Sequence, residues 1–351
     1  MFDFIRKFFK KNSIEKESSG TGAVPDKTDE RDFEYIPSMG AGPVDWETGY
    51  DVEEDVNIKI PIKDQNGSSS CVSQAWAYYV AVINAVESKV YKEVSAKAIF
   101  SQIFLSYGAY IRDGAKLIVS WGSLPEETVC SYNNGKPPRD PFIKDKKWKN
   151  SEMDRMAEIL KAKDYRMLIG KHSMDDFARA IKGNKGVVTG LFVGNNKSWR
   201  TLEPTPSVRT GGHAIYFGKF GTDKKGRYIS TPNSWGTRKG TNELHPDGWQ
   251  KLRKEYFNSE FIFNPWTLTD KPNDEIKNKA YEIMIKNEKK IIIEGEGHGR
   301  KGVIVDGKLR EILDHTNNRA VAACLYVLAN NGLGETVNTE TFNAMERKQN
   351  F

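Results

Sequence analysis

The sequence predicts an α+β fold in which helices come first along the chain and strands come later. Apolar residues recur with a helical period from Cys71 onward, and shorter helical patterns follow at 96–107 and after Ser151. Three apolar runs of β type then occupy residues 186–194, 213–218 and 227–231. Helices and strands that are segregated along the chain are typical of the α+β class.

The composition indicates a globular protein without an obvious charged partner. Hydrophobic residues make up 38% of the 351 residues and charged residues 28%. The net charge of +6 is modest and scattered along the chain, so we expect no nucleic acid partner. No apolar run approaches the roughly 20 residues that span a bilayer. Three cysteines without a close pair favour a reducing compartment. We therefore expect a cytoplasmic protein, or a virion-associated one if a phage encodes it.

The first 36 residues differ from the rest of the chain. Residues 1–11 are basic and amphipathic, and they either pack on their own protein or bind a protein partner or an anionic membrane surface. Residues 12–35 are polar and contain a Gly/Ser run, which indicates a flexible linker. One alternative stays open, in which part of this extension is a short segment that occludes a site.

Cys71 is the residue best suited to chemistry. It lies at the predicted N-terminus of an apolar helix, where the helix dipole favours the thiolate and lowers the thiol pKa. Gln65 precedes it by one short Gly/Ser turn, and its amide can donate a hydrogen bond to a developing oxyanion. The pattern predicts a nucleophile and an oxyanion donor side by side.

Two later blocks supply the partners that a cysteine nucleophile needs. Gly211-Gly212-His213 offers a base, and Asn233-Ser234-Trp235-Gly236 offers an amide that orients the base. Each residue also has a plain structural interpretation, as a buried Cys, a satisfied His or a turn Asn. The combination of the blocks in this order favours catalysis. The other histidines lack such a context and are interpreted as surface residues.

These blocks, with Pro43-Val44-Asp45-Trp46 before them, resemble the papain-like (C1-type) cysteine peptidase family. The separation of Cys71 from His213 is inside the family's usual range of about 130–150 residues. The resemblance covers roughly residues 37–268. It implies a helical left lobe and a β-rich right lobe, with Cys71 on the left wall of the cleft and His213 on the right wall.

The resemblance also implies a function and roles for its residues. Cys71, His213 and Asn233 would form the triad of an endopeptidase that passes through a thioester acyl-enzyme. Gln65 would complete the oxyanion hole, and Trp235 would shield the Asn–His hydrogen bond from water. The substrate would be a polypeptide, and no metal or organic cofactor would be needed.

The residues around Cys71 depart from the family pattern. Ser68 stands where secreted relatives have a disulfide-forming Cys, and Val72 stands where they have an aromatic residue. Two alternatives therefore stay open. One is a catalytically weak or inactive scaffold or binding protein, and the other is an amidase that acts on isopeptide or peptidoglycan substrates.

Residues 269–351 form a separate small α/β module of unknown role in this interpretation. The pattern predicts helices at 274–286, 319–328 and 339–348, a strand at 291–293, and a hairpin over 302–312 that turns at Asp306-Gly307. The predicted organisation is thus an N-terminal extension at 1–36, a peptidase domain at 37–268 and this module.

Overall fold

The computed structural model describes most of the chain from residue 21 onward. The described residues are 21–29, 32, 35, 43–65, 67–88, 90–133, 135, 138–168, 173–194, 199, 201–236, 248–258, 260–269, 290–294, 300–305, 308–313, 325, 329 and 334–348. The predicted helices at 1–11 and 274–286, and most of the one at 319–328, lie outside these residues.

Helices and strands alternate little, as the α+β prediction requires. The described helices are α1 (Val52–Val56), α2 (Cys71–Ser88), α3 (Ala96–Ile103), α4 (Ile111–Ser120), α5 (Asp140–Ile143), α6 (Ser151–Ala157), α7 (Met174–Asn184) and α8 (Thr339–Lys348). The first strands are β1 (Ala23–Val24), β2 (Tyr50–Asp51), β3 (Ala109–Tyr110), β4 (Asp164–Met167), β5 (Val187–Gly194), β6 (Arg209–Phe217) and β7 (Lys219–Asp223). The later strands are β8 (Gly226–Pro232), β9 (Trp249–Leu252), β10 (Ile262–Thr269), β11 (Ile291–Glu294), β12 (Lys301–Val305), β13 (Lys308–Leu313) and β14 (Gly334–Val337).

Helix α2 runs through the middle of the core. Its first thirteen residues, Cys71 to Ile83, are all buried, so the helix is covered on every side and not on one face as its periodicity predicts. The reason is its position, because α3, α4 and β6 all pack against it. Cys71, at the N-terminus of this helix, therefore lies where the helical and the sheet-rich parts meet.

Helix α3 is shorter than its pattern predicts. It ends at Ile103, because Phe104 takes an extended backbone conformation and Leu105 N–H donates to the Gly108 carbonyl. Gly108 has a φ of +66°, a conformation that glycine adopts without strain. The chain thus turns back toward Cys71 and continues as β3.

The sheet-rich part contains two antiparallel four-stranded sheets. One has the strand order β4-β10-β5-β6 and the other has the order β2-β7-β8-β9. Helix α7 packs on the first sheet, and Ser173 caps its N-terminus, with its hydroxyl accepting from Asp176 N–H. Strand β6 carries His213, and the chain leaves β8 directly into Asn233.

The C-terminal residues form their own small sheet. Its order is β13-β12-β11-β14, with β11 and β14 parallel, and the predicted hairpin is its β12–β13 pair. Helix α8 has the bounds that the sequence predicts, and its Phe342 packs in an apolar cluster with Ile292 and Leu309. No helix among the described residues is long and apolar enough to cross a membrane.

Candidate active site

A tight turn joins Gln65 to the start of α2. Ser68 N–H donates to the Gln65 carbonyl (2.8 Å), and the Gln65 amide nitrogen donates back to the Ser68 carbonyl (2.7 Å). Ser234 Oγ donates to Gln65 Oε1 (2.6 Å), which links this turn to the right wall of the cleft. The Gln65 side chain is fully buried and held at both ends, so its amide is fixed beside the N-terminus of α2.

A chain of hydrogen bonds fixes the imidazole of His213. His213 Nε2 and Asn233 Oδ1 are 2.8 Å apart, and Asn233 Nδ2 donates to Gln250 Oε1 (2.8 Å). Because Asn233 uses its NH₂ group on Gln250, its oxygen is the atom that faces the ring, and His213 Nε2 is therefore the protonated nitrogen. Nδ1 is then the ring nitrogen left for proton exchange with a nucleophile.

Two tryptophans cover this chain of bonds. The ring of Trp235 lies 4.5 Å from the His213 ring, centroid to centroid, and Trp199 meets both rings edge-on at 6.2 Å and 6.0 Å. His213 is fully buried and Asn233 is nearly so. Exclusion of water lowers the local dielectric and strengthens the hydrogen bond between His213 and Asn233.

Residues 21–26, which we call the cleft segment, lie between the two walls directly over Cys71. Gly22 N–H donates to the Gly212 carbonyl of β6 (2.9 Å), and Ala109 N–H of β3 donates to the Gly22 carbonyl (2.9 Å). Strand β1, within the segment, pairs in parallel with β3. The composition of residues 12–35 predicts a flexible linker, and within that stretch main-chain hydrogen bonds hold the cleft segment on both sides.

Glycines permit this close approach of three backbones. A Cβ on Gly22 would lie 2.1 Å from the Ser69 carbonyl oxygen, and a Cβ on Gly212 would lie 2.1 Å from the Ala23 carbonyl oxygen. On the left wall, a Cβ on Gly108 would lie 1.8 Å from the Gly22 carbonyl oxygen. Each distance is far below van der Waals contact, so the segment fits only because these positions lack side chains.

A half-buried carboxylate anchors the end of the cleft segment. Asp26 Oδ2 accepts from Trp266 Nε1 (2.8 Å), and its carboxylate also accepts from Arg112 N–H (3.1 Å to Oδ1). Asp26 N–H donates to Asn264 Oδ1 (2.8 Å). Burial raises the pKa of the Asp26 carboxyl to about 6, although the hydrogen bonds from Trp266 and Arg112 oppose the rise.

Burial under the cleft segment changes the chemistry of Cys71. The side chain is fully buried, and this desolvation raises the pKa of the thiol to about 12, although N–H groups of Ala214, Val72 and Gly22 oppose the rise. The expectation of a lowered pKa is therefore wrong for this closed arrangement. The backbone N–H groups of Cys71 and Val72 at the start of α2 lower the thiol pKa, as predicted for a helix N-terminus, but desolvation of the thiolate outweighs them.

Two contacts cross the cleft between the residues singled out in the sequence: Ser234 Oγ donates to Gln65 Oε1, and the N–H of Ala214, the residue after His213, faces the Cys71 thiol. Cys71 and Gln65 come from the left wall, and His213, Asn233 and Trp235 come from the right wall. Sequence reasoning missed the three residues that hold them, Gln250, Trp199 and Ser234. Ser234 belonged to a recognised block, whereas Gln250 and Trp199 carry no local signal. Among the described residues no group of His, Cys, Asp or Glu is placed to hold a metal ion.

We expect Gln250→Leu to lower kcat about tenfold with little change in KM. The substitution leaves the Asn233 amide and two carbonyl acceptors, those of Trp199 and Thr201, without the buried partner they now share. Losing such a partner costs roughly 1–3 kcal/mol. Steady-state kinetics on a peptide amide would measure the effect, and Gln102→Leu in α3 is the matched control. An unchanged kcat in a folded Gln250→Leu protein would contradict this role.

We expect alkaline pH to favour opening of the cleft and acid pH to favour closure. The raised pKa values of Asp26 and Cys71 mean that the closed arrangement holds both protons more tightly than an open one would. Closure therefore strengthens as pH falls through about 6 and weakens as pH rises past the thiol pKa of the open form. Iodoacetamide labelling of Cys71, followed by intact mass from pH 5 to 10, measures this. A labelling rate of Cys71 whose pH midpoint equals that of a free cysteine would contradict this link between pH and closure.

The whole arrangement is a papain-like fold, with the predicted two lobes and the cleft between them. Solved structures of cysteine proteases are similar to it: xylellain from Xylella fastidiosa has a TM-score of 0.59 at 22% identity, over 74% of this chain and 98% of that one. Procathepsin B from Trypanosoma congolense has a TM-score of 0.56 at 14% identity, over 73% and 88% of the two chains.

The proform of Amb a 11, a cysteine protease and ragweed pollen allergen, has a TM-score of 0.54 at 16% identity, over 76% of this chain and 84% of that one. No family model matches the sequence, and no curated protein is significantly similar to it. The likeness therefore lies in the fold, and the prediction of a papain-like fold is confirmed.

Proposed function

We propose that this protein is a cysteine endopeptidase whose cleft is closed by its own N-terminal extension. The observation that carries the proposal is the oriented His213–Asn233 pair on a strand whose next N–H, that of Ala214, faces the Cys71 thiol. A thiol at a helix N-terminus, an oriented imidazole and a fixed amide donor are the parts that acyl transfer by a cysteine requires.

The reaction follows from these positions. His213 Nδ1 takes the proton of Cys71, and the thiolate sulfur attacks the carbonyl carbon of the scissile bond. The oxyanion accepts hydrogen bonds from the Gln65 amide and the Cys71 backbone N–H. His213 then protonates the leaving amine, which leaves a thioester on Cys71. A water molecule, deprotonated by His213, attacks the thioester and releases the carboxylic acid and the thiol.

The way the cleft holds its own chain favours a polypeptide substrate. Gly212 C=O and Ala109 N–H bind the main chain of Gly22 from opposite sides, and Ala23 and Val24 are extended along β3. These contacts are hydrogen bonds to main-chain peptide groups, and they require no particular side chain. We therefore favour ordinary peptide bonds over isopeptide or peptidoglycan bonds as the bonds that the protein hydrolyses. The predicted compartment stays the cytoplasm.

The closed arrangement is a resting state in this proposal. The Gly22 carbonyl accepts from Ala109 N–H, and Gly22 N–H donates to the Gly212 carbonyl, so the segment is bound by both walls. It occupies the cleft that a substrate would enter. Activity requires it to leave.

One observation favours a second candidate, a non-catalytic scaffold on the same fold. The thiol of Cys71 is buried and its pKa lies far above neutral pH, so the closed protein carries little thiolate. A protein that never opened would keep the fold as a binding or structural unit. The two candidates differ in whether the cleft can open.

Labelling with a peptidyl epoxide, read by intact mass, tests the proposal. We expect the full-length protein to acquire one adduct slowly and Gly22→Leu to acquire it quickly, because that substitution opens the cleft. His213→Ala should acquire none in either background. A folded Gly22→Leu protein that takes no adduct and cleaves no peptide would establish the scaffold candidate instead.

A further inference from the structure

The turn that precedes Cys71 is held by a carboxylate from a distant helix. Asp140, the first residue of α5, accepts from Ser69 N–H (2.7 Å) and from Ser69 Oγ–H (2.9 Å to Oδ1 and 2.8 Å to Oδ2). Ser69 is almost fully buried. The single carboxylate of Asp140 thus binds both the backbone N–H and the hydroxyl of Ser69, two residues before Cys71.

This turn sets the position of both oxyanion donors. Its Ser68 carbonyl accepts from the Gln65 amide (2.7 Å), and its Ser70 carbonyl accepts from Gln74 N–H (3.0 Å) and Ser73 Oγ (2.9 Å) at the start of α2. Ser69 lies between these two carbonyls. A shift of Ser69 would therefore move the Gln65 amide and the Cys71 N–H relative to each other.

Asp140 is itself fixed and charged. Lys144 Nζ lies 3.0 Å from Oδ2, one helical turn further along. Burial by itself would raise the pKa of Asp140, but the hydrogen bonds from Ser69 and the Lys144 ammonium group bring it below its ordinary value. The carboxylate is thus ionised at neutral pH, and hydrogen bonds to a charged acceptor are stronger than neutral ones.

The helix that carries Asp140 is anchored in the left lobe. Ile143 is fully buried in the main apolar core, and the Lys97 ammonium lies 3.7 Å from the centre of the Phe142 ring. The structure assigns Asp140 as a positioning residue for the oxyanion hole: through Ser69 it holds the turn that carries both donors. Ser68, the residue before Ser69, stands where the resemblance places a disulfide cysteine, and the Asp140–Ser69 bonds tie the same turn without a covalent link.

The assignment rests on the proposed function, and a comparison of two reactions tests it. Hydrolysis of a peptide amide needs the oxyanion hole, whereas opening of an epoxide forms no tetrahedral carbonyl intermediate. In the full chain carrying Gly22→Leu, we expect Asp140→Ala to lower kcat about tenfold or more, as displaced catalytic groups do. The rate of epoxide labelling should stay within about twofold of the parent.

Two further variants serve as controls. Asp140→Asn keeps an oxygen that accepts from Ser69 N–H, so it should recover part of the lost kcat. Asp154→Ala removes another half-exposed carboxylate of the left lobe, one that accepts from Trp121 Nε1 and Lys149, and should hydrolyse like the parent. An Asp140→Ala protein that hydrolyses like the parent would overturn the assignment, and so would equal losses of hydrolysis and labelling.

Hydrogen exchange separates this assignment from the proposed function. Asp140→Ala should speed amide exchange in peptides that span residues 67–71, and Asp154→Ala should not. A parent that neither hydrolyses peptides nor takes the epoxide refutes the proposed function. If exchange at residues 67–71 is also unchanged in Asp140→Ala, the role of Asp140 fails as well.

Discussion

Replacing Cys71 by Ala is expected to abolish peptide hydrolysis, with a loss of roughly a thousandfold or more in kcat. The sulfur is the only protein atom in the proposed mechanism that forms a covalent bond to the substrate's carbonyl carbon. The fold should survive, because the substitution removes a single buried atom from the N-terminus of α2 and leaves the helix hydrogen bonds in place. Steady-state hydrolysis and thermal unfolding of wild type and variant, both in the opened Gly22→Leu background, measure the two effects.

The chain offers a matched control for this substitution. Cys130 is a second free cysteine, and it is exposed in a turn where its Sγ lies 3.1 Å from the Tyr132 carbonyl. Cys130→Ala should leave hydrolysis and epoxide labelling unchanged. Residual activity in Cys71→Ala, or loss of activity in Cys130→Ala, would show that another group carries the chemistry.

Replacing Gly22 by Leu is expected to raise the rate of epoxide labelling at Cys71 about tenfold or more. The first side-chain atom alone would lie 2.1 Å from the Ser69 carbonyl oxygen and 2.7 Å from its carbon, and neither is a flexible side chain that could move aside. Overpacking of this kind costs roughly 1–3 kcal/mol, and each 1.4 kcal/mol is a tenfold change in the closed fraction. The cleft segment is the part that yields, because Ser69 on the other side of the contact is held by Asp140 through both its N–H and its hydroxyl.

A bulky substitution just outside the cleft segment distinguishes opening of the cleft from a general loss of structure. Thr28 is exposed just after the cleft segment, so Thr28→Leu should label at the wild-type rate. The pH dependence gives a second readout, since release of the segment removes the desolvation that raises the thiol pKa. Gly22→Leu should therefore reach full labelling at a lower pH than wild type. Equal rates and equal pH profiles would show that residues 21–26 do not control access.

Much of the fold could be predicted from local patterns. Caps and periodicity predict the start of α2 at Cys71, the Ser173 cap of α7 and the bounds of α8. Apolar runs and turn residues predict the strands that carry His213 and lead to Asn233. Errors arose where tertiary contacts override the local signal. Helix α2 is buried all round because two parts of the protein enclose it, which its own periodicity does not encode.

The order and identity of Gln65, Cys71, His213 and Asn233 were determined by the sequence alone, because these residues stand in recognisable local contexts. Only the tertiary structure decided what surrounds them. Asp140 reaches Ser69 from a distant helix, Gln250 reaches Asn233 from β9, and Gly22 enters the cleft from a stretch whose composition indicates a linker. These contacts join segments far apart in the chain through a few hydrogen bonds or the absence of a Cβ, and neither leaves a periodic pattern. The protonation state of Cys71 is decided in the same way, since burial by residues 21–26 outweighs the helix terminus that the sequence reveals.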